Sequence, residues 1–118
     1  MLQQRINSFK YAFKGIFDLF RSQPNALIHL LAAVVAIVAG FYFSISTTEW
    51  AIVLLTIFLV LAAEALNTAI EYLTDLVSPE YHELAGKTKD AAAAGVLLVA
   101  MGAIAVAAMI FLPKILAN

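Results

Sequence analysis

Apolar positions along this chain follow two patterns. In residues 1–21, Ile6, Phe9, Phe13, Ile16, Phe17 and Phe20 recur at spacings of three and four, while Arg5, Lys10, Lys14, Asp18 and Arg21 take the other positions. That period predicts an amphipathic helix with a basic polar side, suited to lying in a headgroup layer. Beyond it the pattern changes to long apolar runs. Residues 26–43 are near the lower limit of about 17–25 residues needed to cross a bilayer. Residues 50–77 exceed the roughly 20 residues of a span, so the last turns should project beyond the hydrocarbon. A third run covers 91–112 and is expected to end at Pro113. A short turn at 44–49 and a longer polar connection at 78–90 separate the runs, and Pro79 suits the start of a further helical turn. The expected fold is all-α and integral to a membrane: one domain over 1–118, with a surface helix and three spanning helices.

The second run breaks its own pattern. Glu64 is followed by Asn67, Thr68, Glu71 and Asp75, at offsets of three, four, seven and eleven. On a helix these five side chains share one face. An ionisable group in a membrane-grade segment is expensive and usually functional. It also argues for burial against a partner chain. The third run is rich in small residues, including Gly95 and Gly102, which let helices pack closely in lipid.

Composition narrows the picture. The chain has 118 residues, of which 64% are hydrophobic and 13% charged, too apolar for an ordinary soluble domain. A bilayer or an oligomer must cover what so small a core leaves exposed. The net charge of −1 favours no nucleic acid, and the absence of cysteine excludes disulfides and thiolate chemistry. No apolar core lies within the first twenty residues, so no secretory signal is expected. Arg5, Lys10, Lys14 and Arg21 precede the first run, Lys87 and Lys89 lie between the second and third, and the 44–49 turn has no Lys or Arg. This bias predicts a cytoplasmic N-terminus and a cytoplasmic 78–90 connection.

Six of the eight acidic residues fall between Glu64 and Asp90, and the same window holds His82, Lys87 and Lys89. Glu64 is the deepest and is a candidate proton acceptor. Glu71 and Asp75, one and two further turns out, offer hard oxygen ligands for Mg²⁺. Lys89 offers a compact cation for a phosphate. A base, a metal and a cation together suit phosphoryl transfer. The same carboxylates also suit a proton or cation pathway. No Walker loop, glycine-rich cradle or nucleophile elbow is present. Composition and spacing thus leave a membrane enzyme and a transporter both open.

The string EALNTAIE at 64–71, Asp75, EYHELA at 80–85 and KDAAAA at 89–94 resembles the prokaryotic diacylglycerol kinase family, which includes the undecaprenol kinases. The likeness covers nearly the whole chain, including Lys14 and Gly15. It implies a bacterial inner-membrane homotrimer with shared active sites, transferring the γ-phosphate of ATP to a lipid hydroxyl with Mg²⁺. By resemblance, Glu64 is the catalytic base and Glu71 a metal ligand. Asn67, Glu71, Glu80, Tyr81, His82, Lys89 and Asp90 line the nucleotide site, bordered by Tyr11 and Lys14. One position departs from the family: the glutamate expected shortly before the first span to help bind metal is Gln23, which keeps an oxygen and loses the charge. This admits an impaired or non-catalytic relative as an alternative. Asn25 and His29 resemble the undecaprenol kinase branch at the lipid-binding stretch.

Overall fold

The computed structural model describes residues 1–117 and consists of four helices: α1 (Leu2–Ser22), α2 (Pro24–Tyr42), α3 (Thr47–Val77) and α4 (Glu83–Ala117). α2, α3 and α4 are each long and apolar enough to cross a membrane. The outward side chains of α1 remain exposed, Phe9, Phe13 and Phe17 among them, as a helix lying in an interface requires.

Local chemistry sets each boundary. Gln23 is extended, at φ −114° and ψ 107°, because Pro24 excludes helical geometry from the residue before it. Pro24 then opens α2, where its missing N–H costs nothing. α2 ends in a Schellman turn: the Ile45 N–H donates to the Gly40 carbonyl, the Ser44 N–H to that of Phe41, and Ser44 is left-handed at φ 51°. Ser46 caps α3 through a reciprocal box, its Oγ accepting from the Glu49 N–H at 3.1 Å and its N–H donating to Glu49 Oε1 at 2.9 Å. The turn expected at 44–49 is therefore shorter, and Glu49 is already helical.

The two larger corrections concern α4. The connection expected at 78–90 shrinks to 78–82, because His82 caps the next helix: its Nδ1 accepts from the Leu84 N–H at 3.1 Å and its carbonyl from that of Gly86. Residues 83–90 are charged but need not be apolar to be helical outside the hydrocarbon. Nor does the helix end at Pro113, which lies inside it. A proline there removes one hydrogen bond from a helix whose Ile110 and Phe111 are buried just before it and whose Lys114 is paired just after it.

That packing lies at the end of the bundle far from the acidic face. Ile45, Val53, Ile110 and Phe111 form the buried cluster there, flanked by Trp50 and Phe43. Lys114 Nζ donates to Glu49 Oε2 at 3.1 Å, joining the start of α3 to the end of α4. Gly40 faces the Trp50 ring so closely that a Cβ there would stand 2.5 Å from the indole. Gly40→Ala should therefore destabilise the fold by about 1–3 kcal/mol, since a boxed-in indole cannot swing away as a flexible chain would. Thermal unfolding in detergent micelles measures this, and an unchanged midpoint would contradict the packing.

Candidate functional site

α2 and α3 run antiparallel, and two contacts fix their register. His29 Nε2 lies 3.6 Å from Glu64 Oε1, slightly beyond hydrogen-bond distance. Eight residues along α3, the Tyr72 hydroxyl meets Ser22 Oγ at 3.4 Å at the end of α1. The α3 residues between them, Asn67, Thr68 and Glu71, thus lie level with the stretch that carries Gln23, Asn25 and Ala26.

Glu64 is only 3% exposed. Its cover comes from within the chain. Thr68, one turn on, is also buried, and Asn67 and Glu71 are half-buried. Asn67 Nδ2 donates to Glu71 Oε1 at 3.3 Å and so holds the carboxylate. The Asn67 Oδ1 and Thr68 Oγ1 atoms are buried with no hydrogen-bond partner among the described residues. Orphaned polar atoms are rare in native structures and call for an explanation.

An apolar cavity of about 320 Å³ opens beside His29. It runs between α2, α3 and α4 toward Phe111, walled by small side chains such as Ala33, Ala36, Ala103 and Ala107. His29 and Thr56 are its polar lining. A second cavity, of about 490 Å³, lies where α3 gives way to α4, between Thr74, Ser78, His82 and Thr88. Next to Thr88, Lys89 is ion-paired with Asp75 across the two helices.

The predicted site residues therefore fall into groups. His29, Glu64, Asn67 and Glu71 come together on α2 and α3, with Gln23 at the α1–α2 break. Lys89 joins Asp75 at the elbow, and Asp90 follows it exposed on α4. Glu80, Tyr81 and His82 are exposed in the connection, Tyr81 at 91%. Tyr11 and Lys14 stand exposed on α1, and Asn25 is exposed on the first turn of α2. Among the described residues no group of three His, Asp or Glu side chains converges as a metal cluster.

Sequence reasoning missed the contact that seats α1. The Tyr72 hydroxyl donates to Asp18 Oδ2 at 3.2 Å, and Ser22 lies one turn beyond Asp18. The available signal was Asp18, the one acid in α1 among basic residues.

Comparison with known proteins agrees with this geometry. The family profile described as prokaryotic diacylglycerol kinase matches residues 10–111. The chain is 38% identical over 114 residues to the undecaprenol kinase of Bacillus subtilis, covering 97% of this chain and 93% of that one. It is 41% identical over 110 residues to a diacylglycerol kinase of Synechocystis, covering 92% of this chain and 63% of that one. The diacylglycerol kinase of Escherichia coli K12 is 29% identical over 93 residues, covering 79% of this chain and 76% of that one. The match to the family profile takes in the second half of α1, the buried glutamate, the whole of α2 and α3 and most of α4, and the chain belongs to the prokaryotic diacylglycerol kinase family, a family of membrane lipid kinases.

Proposed function

We propose that this protein is an ATP- and Mg²⁺-dependent lipid kinase of the bacterial inner membrane, with its N-terminus cytoplasmic. It transfers the γ-phosphate of ATP to a membrane alcohol, undecaprenol in preference to diacylglycerol. The observation that carries this reading is Glu64: a buried carboxylate on a spanning helix, paired with His29 where an apolar cavity opens. A lipid chain laid in that cavity brings its hydroxyl to the carboxylate. Asn25 and His29, and the similarity to the Bacillus subtilis undecaprenol kinase, support the choice of lipid.

In this mechanism Glu64 takes the hydroxyl proton as the lipid oxygen attacks the γ-phosphorus, and ADP leaves with the bridging oxygen. His29 orients the carboxylate and carries a hydrogen-bonding edge toward the bound alcohol. Glu71 and the orphaned Asn67 Oδ1 are the oxygens that would hold Mg²⁺, with Gln23 level with them. One or two protein oxygens suffice, because Mg²⁺ keeps waters and takes phosphate oxygens for the rest. When bound, Mg²⁺ supplies charge neutralisation on the phosphates. Lys89, exchanging Asp75 for a phosphate, and the exposed Tyr81, His82 and Asp90 serve the nucleotide, with Glu80 beside them. Tyr11 and Lys14 stand apart from this group, and a homotrimer in which a second copy brings α1 across would complete the site.

Transfer from labelled ATP in mixed micelles tests the proposal. Phosphorylated undecaprenol should form faster than phosphorylated diacylglycerol, and only with Mg²⁺ present. A faster reaction with diacylglycerol would overturn the choice of lipid alone. Transfer to neither lipid at any Mg²⁺ concentration would support the non-catalytic alternative that Gln23 raises.

A further inference from the structure

Serines and threonines beyond the first turn of their helices follow one habit among the described residues, and Thr68 breaks it. A Ser or Thr hydroxyl inside a helix commonly donates back to the carbonyl four residues earlier. Ser8, Ser22, Thr56, Thr74 and Thr88 all do so, to Gln4, Asp18, Ile52, Ile70 and Leu84, at 2.7–3.0 Å. Thr68 does not. It lies in the same helix as Thr56 and Thr74 and is only 5% exposed, yet Oγ1 bonds nothing among the described residues. The back-bonding rotamer is one of the two that helical threonine ordinarily takes. Thr68 has turned from the Glu64 carbonyl and leaves its hydroxyl unpaired in a buried position.

Its place gives the reason. Thr68 lies one turn beyond Glu64 and one turn before Glu71, on the shared face, between the proposed base and the proposed metal carboxylate. We propose that the Thr68 hydroxyl binds the acceptor alcohol of the lipid, donating to its oxygen and holding it beside the Glu64 carboxylate. This rests on the lipid kinase reading and adds a substrate-contacting residue to it. The alcohol gives its proton to Glu64 and uses one lone pair to form the new bond to phosphorus, while the bond from phosphorus to the bridging oxygen breaks and its electrons leave with ADP. Thr68 donates to the remaining lone pair and keeps its own proton throughout. Its bond strengthens as charge gathers on the attacking oxygen. The ligand is any lipid with a free hydroxyl at this depth, so Thr68 does not distinguish undecaprenol from diacylglycerol.

Thr68→Val and Thr68→Ser, each as the full chain in mixed micelles, test this. Thr68→Val should lower kcat/KM for the lipid by about 10²-fold, the usual effect of removing one donor to a reacting oxygen. KM for ATP should stay within about twofold, because the lost bond is to the alcohol. Its thermal midpoint should hold or rise, since a methyl replaces an unpartnered hydroxyl in the same shape. Thr68→Ser should keep most of the activity. Wild-type kcat/KM in Thr68→Val would overturn the inference, as would a serine variant no better than valine. A valine variant that loses stability along with activity would overturn it too, by assigning the hydroxyl to packing. If the wild-type chain phosphorylates no lipid, the kinase reading and this inference fall together, whereas an active wild type with an active Thr68→Val removes this inference alone.

Discussion

Glu64→Gln should lower phosphate transfer by about 10²–10⁴-fold, the range that a positioned general base contributes. Glutamine keeps the shape and an oxygen beside His29, so the buried site stays filled, but it cannot take the hydroxyl proton. Nucleotide affinity should be largely unchanged, because Glu64 lies at least two helical turns from Asp75 and Lys89. The thermal midpoint should not fall, since the change removes a group that is costly to hold at this depth. Labelled-ATP turnover, a nucleotide titration and a melting curve on one preparation separate these effects. Turnover within tenfold of wild type would remove Glu64 as the base.

Glu71→Gln should raise the Mg²⁺ needed for half-maximal rate by about 10–100-fold or more, since even residues that merely support a metal ligand cost that much. Gln23→Glu should move the requirement the other way by adding a second carboxylate at the level of Glu71. Titration of the two variants with paramagnetic Mn²⁺ reads the same shifts without turnover. Parallel movement of both, or none, would place the metal elsewhere.

The acidic face was legible because it obeys local rules. Offsets of three, four, seven and eleven from Glu64 define one helical stripe whatever the tertiary structure. The number of helices was legible for a similar reason, since bilayer thickness sets the length of an apolar run. The boundaries of α4 were not. Residues 83–90 carry Glu83, Lys87, Lys89 and Asp90, and that polarity resembles a loop only while a helix is assumed to stop at the membrane surface. Pro113 suggested an end that distant packing overrides. Contacts between far-separated residues were also hidden: Asp18 with Tyr72 and Glu49 with Lys114 pair across 54 and 65 positions, which no periodicity encodes. The orphaned hydroxyl of Thr68 was hidden differently. Its face was evident, but its missing bond appears only in coordinates.

One carboxylate at the far end does two jobs. Glu49 Oε1 closes the cap of α3, while Oε2 holds Lys114 of α4. Anything that drew α3 and α4 apart there would break the ion pair, while the cap, internal to the start of α3, holds the carboxylate ready to remake it. A transporter alternates by opening each side of the membrane in turn. Here one side is riveted and the other is joined by a five-residue elbow. The α3–α4 pair is thus tied at both ends, by an ion pair at the far face and by the chain itself at the elbow, which opposes opening first one side and then the other.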